Sequence, residues 1–165
     1  MTPTTKARAI KTFTHPLYFL ALGFGSGLSR WMPGTAGSLA AIPVFLLFQP
    51  LGLVWQLVII AISFVAGIAM CDWVAKDMEI KDPGCIVWDE FVGLWITYLL
   101  LPPAWYWLVV GFLLFRLFDI WKPWPVSFLD RKLEGGLGIM ADDVAAGIYG
   151  LVALQVLYYG SLQFV

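Results

Sequence analysis

Leu53-Val-Trp-Gln-Leu-Val-Ile-Ile-Ala-Ile-Ser-Phe-Val-Ala-Gly-Ile-Ala-Met70 carries no charged side chain along 18 residues. Coiled as a helix it is about 27 Å long at 1.5 Å per residue, close to the roughly 30 Å hydrocarbon core of a bilayer. Outward from it the pattern repeats. No Asp, Glu, Lys or Arg occurs from Trp31 to Cys71, from Phe91 to Phe115, or from Val144 to Val165. All the carboxylates gather in two intervening clusters, Asp72 to Glu90 and Arg116 to Asp143. An ionised side chain at a bilayer centre costs roughly 2.5–3.5 kcal/mol on insertion scales, so this segregation is what lipid imposes.

Composition agrees. Hydrophobic residues make up 61% of the 165, charged residues 13%, and the mean hydropathy is +0.84; soluble domains carry roughly 25% charge. The expectation is an all-α polytopic membrane protein forming a single membrane domain over 1–165, with 1–15 as a flexible basic tail and room for about five crossings. A net charge of -1 and a pI of 5.7 exclude the concentrated basic face that nucleic acid requires. The cysteines Cys71 and Cys85 form no C-x-x-C pair and His15 is the single histidine, so a His/Cys zinc site is excluded. Nothing in the sequence points to a protein partner.

Breaks divide the apolar stretches. Gln49-Pro50-Leu51-Gly52 separates Ser38–Phe48 from Leu53–Met70, and Pro102-Pro103 separates Ile86–Leu101 from Ala104–Asp119, which predicts two helical hairpins. A final apolar helix opens at Asp142-Asp143. Gly23, Gly25 and Gly27 interrupt the run from Leu17 to Leu28 after the basic residues Lys6, Arg8 and Lys11, which suits an interfacial or re-entrant N-terminal segment better than a cleaved signal. In an antiparallel hairpin the start of one arm and the end of the other share a membrane face. Asp89 and Glu90 therefore lie with Arg116 and Asp119, Thr35 and Ser38 lie near Asp72, and every polar cluster maps to one side, which the basic N-terminus makes cytoplasmic.

Each cluster has a bland reading beside a chemical one. Asp89 and Glu90 at a helix start complement the macrodipole, for roughly 0.3–1 kcal/mol; Arg116 and Asp119, three apart, make a salt bridge. That bridge leaves Lys122 unexplained. Several carboxylates beside two or three cations suit a site that holds a metal and an anion together, because Arg and Lys clamp phosphate oxygens and carboxylates hold Mg2+. Gly135-Gly136-Leu-Gly138 leads to Asp142 and Asp143, a second carboxylate pair. Pro33-Gly34-Thr35-Ala36-Gly37-Ser38 offers N–H groups and hydroxyls to an anion at a helix start, or simply an N-capped glycine turn. It is not a Walker loop. Cysteine-, histidine- and D-x-D-based phosphatase signatures are missing, as is the D-G-x-x-A-R pattern of the CDP-alcohol phosphotransferases.

Five segments together, Gly23–Ser29, Pro33–Pro43, Ile86-Val-Trp-Asp-Glu-Phe-Val-Gly93, Phe115-Arg-Leu-Phe-Asp-Ile-Trp-Lys-Pro-Trp-Pro125 and Gly135–Gly147, resemble the motifs of bacterial phosphatidylglycerophosphatase A over about residues 16–150. Arg30-Trp31 departs from the expected pattern. The resemblance implies a Mg2+-dependent enzyme of the bacterial inner membrane, its active site on the cytoplasmic face, whose substrate is a phospholipid: it removes the terminal phosphate of phosphatidylglycerophosphate to leave phosphatidylglycerol. On that reading Glu90, Asp119, Asp142 and Asp143 ligate Mg2+, and Asp89 is a ligand or the general base. Arg116 and Lys122 hold the phosphate, helped by Gly34, Thr35, Gly37 and Ser38. The rivals are a small cation transporter or channel using the same carboxylates near the midplane, and a structural subunit whose acids are satisfied by Arg and Lys.

Overall fold

The computed structural model describes residues 10–102 and 104–164, and among these there is helix and no strand. The elements run α1 (described over 10–14), α2 (Pro16–Ala21), a 3-10 segment Gly23–Leu28, α3 (Pro33–Phe48), α4 (Leu53–Asp77), α5 (Trp88–Thr97), α6 (Tyr106–Trp121), α7 (Val126–Lys132) and α8 (Gly135–Ser161). Among the described residues three stretches are long and apolar enough to cross a membrane: Pro33–Leu51, which adds a 3-10 turn to α3, Leu53–Asp77, and Gly135–Ser161. That is fewer than the five crossings expected. Helix α6 falls short at 16 residues, about 24 Å, and α5 further still, its 10 residues reaching only about 15 Å, half a bilayer. It survives at that length because the other helices enclose it: Phe91, Val92, Gly93, Leu94, Trp95 and Thr97 are all buried.

Helix α5 is the hub. It packs most extensively on α8 and then on α3, while α4 and α6 also lie along α8. The arms of the first hairpin are thus separated by α5 instead of packing on each other, which corrects the expectation that Thr35 and Ser38 neighbour Asp72. Indole N–H groups tie the hub to both arms: Trp95 Nε1 donates to Ala41 O at 3.0 Å and Trp88 Nε1 to Ser63 O at 3.1 Å. At the α5–α8 crossing the backbones touch, since a Cβ on Gly147 would strike the Gly93 carbonyl and one on Gly93 would meet the Asp143 carbonyl at 2.6 Å. Glycine is what lets these helices approach so closely.

Large apolar side chains face outward along the long helices, among them Val54, Ile62 and Val65 on α4 and Val152 and Val156 on α8. In water such a surface would drive aggregation; in lipid it is the solvated face. Exposed aromatics mark two levels, Trp31, Trp121 and Trp124 beside the charged clusters and Trp55, Trp105 and Tyr106 beside the Pro50 and Pro102 breaks, as aromatic belts do at the two bilayer surfaces. The molecule is a helical membrane protein.

Two expectations change at the N-terminus and at α8. The basic tail lies outside the described residues over 1–9, but residues 10–14 are helical and Lys11 pairs with Asp77 at 2.6 Å, so that part is docked. The final helix begins at Gly135, so Asp142 and Asp143 sit two turns inside it and not at its start. The added turns pack on α4, where the Gly136 N–H donates to Asp72 Oδ1 at 3.2 Å and a Cβ on Gly136 would strike the Ile68 carbonyl.

Candidate active site

Adjacent carboxylates on a helix point about 100° apart, and Asp89 and Glu90 use that divergence. Asp89 faces a small cavity of about 60 Å³ that Asp142 also lines. Glu90 faces the other way, toward α3 and α6: a Cβ on Gly34 or Gly37 would collide with its carboxylate oxygens, and Arg116 Nη1 lies 3.5 Å from its Oε1. Glycine at 34 and 37 is therefore what admits Glu90 against α3. Arg116 also meets Asp119 at 2.7 Å, one helical turn on.

Between the two sides sits Asp143, only 4% exposed, on which the charges of Asp89, Glu90, Asp119 and Asp142 all bear. Lys122 reaches Asp142 at 2.7 Å. Its placement follows from Pro123, which disfavours helix at the preceding residue; Lys122 takes a left-handed conformation, φ 47°, ending α6. That turn accounts for the Lys-Pro step that a plain salt bridge left unexplained. The structure thus brings all five predicted acids together with both predicted cations at the charged end of the bundle. Thr35 lies in the first turn of α3 next to Gly34, which borders Glu90 and Arg116, whereas the buried Ser38 hydroxyl donates to Gly34 O at 2.9 Å and is spent within its own helix.

The electrostatic balance of this cluster is uneven. Five carboxylates against the two cations Arg116 and Lys122 leave an excess of three negative charges if all ionise, in surroundings where Glu90, Asp119 and Asp142 expose 13%, 15% and 12% of their side chains. Glu90 Oε2 and Asp143 Oδ2 are buried with no hydrogen-bond partner, and Arg116 Nε and Nη1 find no aligned acceptor. Buried polar atoms left this way each cost about 1–3 kcal/mol, which a bound ion or ligand group would recover. Among the described residues no three acids stand close enough to enclose an ion as they are. The donor set is nonetheless all oxygen, with two oxygens unengaged and negative charge in excess, and that chemistry fits a hard divalent cation.

Sequence reasoning missed the cavity's outer rim. Lys81, Asp82 and Glu134 line it with Asp89 and Asp142; their only sequence signal was membership of the charged clusters, since the irregular 78–87 stretch has no period from which to read a face. Asp72, placed by the hairpin argument beside α3, instead pairs with Lys76 at 2.6 Å and anchors α8. The acids gather with Arg116 and Lys122 at the charged end of the bundle, and the transporter reading gains no support.

A family model for phosphatidylglycerophosphatase A matches residues 19–158. The chain is 46% identical over 156 residues to the phosphatidylglycerophosphatase A of Escherichia coli (strain K12), covering 93% of this chain and 88% of that protein. It is 45% identical over 150 residues to that of Haemophilus influenzae, covering 90% and 92%. No solved structure matches the chain significantly. The match spans every element that carries the carboxylate cluster, from Thr35 to Asp143, and the chain belongs to the phosphatidylglycerophosphatase A family of phosphatases.

Proposed function

We propose that this phosphatase is Mg2+-dependent and hydrolyses the terminal phosphomonoester of phosphatidylglycerophosphate, giving phosphatidylglycerol and inorganic phosphate, at the cytoplasmic face of a bacterial inner membrane. The observation that carries the reading is the gathering of Asp89, Glu90, Asp119, Asp142 and Asp143 with Arg116 and Lys122 at one end of a lipid-facing bundle. An enzyme acting on a lipid headgroup needs its polar site at that level. The acyl chains can then stay among the apolar side chains.

Glu90, Asp119, Asp142 and Asp143 are the residues that would hold Mg2+. When bound, the ion supplies neutralisation of the phosphoryl oxygens and of the excess carboxylate charge. Arg116 and Lys122 bind the remaining phosphate oxygens, releasing part of their hold on Asp119 and Asp142, and the free N–H groups in the first turn of α3, around Gly34 and Thr35, add donors. Gly37 keeps the space in which Glu90 sits, and Ser38 holds that first turn closed. Asp89, facing the cavity, accepts the proton of the attacking water as its oxygen bonds to phosphorus. The P–O bond to glycerol breaks on the opposite side, the departing oxygen takes a proton from solvent water and leaves as the alcohol, and Asp89 returns its proton to solvent.

Purified protein in detergent, given phosphatidylglycerophosphate, tests the reading through released phosphate. Activity should vanish with EDTA and return with added Mg2+. Undiminished hydrolysis in metal-free buffer would remove the ion from the proposal, and failure to act on this lipid would remove the substrate.

A further inference from the structure

The cavity beside Asp89 and Asp142 does not close at its rim. A second cavity of about 410 Å³, lined by Asp72, Lys76 and Ile80 among others, shares Lys81, Glu134 and Gly135 with the first. The ion pair between Lys81 Nζ and Glu134 Oε1, at 3.0 Å, therefore stands on the boundary between a small acidic pocket and a roomier one. Its partners are 72% and 77% exposed, unlike any ion pair at the catalytic cluster. Pairs so exposed hold weakly and exchange readily for another counter-ion.

The two lysines of the outer cavity are not equivalent. Lys76 is engaged by Asp72, whose other oxygen accepts the Gly136 N–H, so that pair belongs to the α4–α8 packing. Glu134 stands at the N-cap position of α8 yet makes no capping hydrogen bond with its side chain, so its carboxylate serves Lys81. Lys81 is the cation that can be surrendered without loosening a helix contact.

We propose that Lys81 is a specificity-determining residue: it leaves Glu134 to bind the phosphodiester of the lipid headgroup while the terminal phosphomonoester occupies the acidic pocket. This rests on the substrate reading above. A substrate with one phosphate on the reacting end and a second one a glycerol unit away needs a cation at each position. Lys122, paired with Asp142 on the wall of the acidic pocket, serves the inner position, and Lys81 stands at that pocket's outer rim. Glu134 is then a competitor for Lys81, and with Asp82 beside it the rim repels anions that cannot displace it.

The two partners of this pair should shift substrate affinity in opposite directions, which a structural salt bridge would not do. In Lys81→Gln the KM for phosphatidylglycerophosphate should rise about tenfold with little change in kcat, as loss of one charged contact made equally in ground and transition states requires. Glu134→Gln should lower KM, by about threefold, and Lys81→Arg should stay near wild type. Inhibition by inorganic phosphate, which needs only the inner position, should be the same in wild type and Lys81→Gln. An unchanged KM in Lys81→Gln, a shift of the same sign in both single variants, or a phosphate inhibition constant that moves with KM would each overturn the assignment. If wild-type protein released no phosphate from this lipid, the substrate reading itself would fail, a result distinct from all of these.

Discussion

Two ion pairs at the charged end of this bundle use the same chemistry in opposite settings. Arg116 lies between Asp119 and Glu90 with 16%, 15% and 13% of the three side chains exposed, whereas Lys81 and Glu134 are nearly three-quarters in solvent. Burial fixes the first group: each member is held by packing, polar atoms are left unsatisfied, and removing one charge strands the others. Exposure frees the second, because water can replace either partner at small cost. A site that must position a phosphate and also admit a large lipid headgroup has use for both kinds, one rigid and one exchangeable.

The comparison breaks most sharply at the carboxylates with unengaged oxygens. Glu90→Gln and Asp143→Asn preserve shape and remove charge, so each should lower phosphate release by about 10³-fold or more while the protein still inserts and purifies normally, since an ionic contact made at the reacting phosphoryl group dominates its transition state. Activity within tenfold of wild type would move the chemistry away from the buried group. Next in size is the structural cost. Arg116→Leu leaves Glu90 and Asp119 without their cation, and thermal unfolding in detergent should reveal a loss on the order of 3–5 kcal/mol; Lys81→Gln, in the exposed pair, should cost under about 1 kcal/mol.

Smaller effects sharpen the same contrast through space alone. A methyl at Gly37 must push against the Glu90 carboxylate and Val87, so Gly37→Ala should reduce kcat by about 10- to 100-fold through misplacement of Glu90. Gly84, in the exposed loop, has nothing within 4 Å of an added Cβ, and Gly84→Ala should leave kcat unchanged. The smallest effect is expected at Glu79, in the loop between the hairpins, where Glu79→Gln should be nearly neutral in the phosphate-release assay. Damage there comparable to Glu90→Gln would mean that loop charge matters generally and that burial is not what separates the two settings.

Much of this was legible in the chain. Charge segregation foretold that the acids gather at one end of the bundle, and the Pro50 and Pro102 breaks foretold where helices stop, because lipid penalises ionised groups and proline cannot continue a helix. The spacing of Arg116 and Asp119 foretold their contact. Other features were hidden for definite reasons. Helix α5 reads as a full arm, since a buried half-length helix and a spanning one are equally apolar. The start of α8 is hidden because Gly135, Gly136 and Gly138 signal a loop locally, while Gly135 and Gly136 let α8 lie against Asp72 and Ile68.

What the sequence determined by itself is the solvent and the chemistry: a chain that hydrophobic must dissolve in lipid, and five acids with two cations confined to its polar clusters must meet at a surface of that lipid. Which way each carboxylate faces was decided only by tertiary structure. Asp89 and Glu90 are neighbours in sequence, and no periodicity says which of them meets Arg116 and which meets the cavity. That choice follows from the insertion of α5 between α3 and α8, where Gly34 and Gly37 leave room for one carboxylate and Asp142 lines the space before the other. Packing between elements distant in the chain sets it, and such packing depends on shapes that exist only once the helices have met.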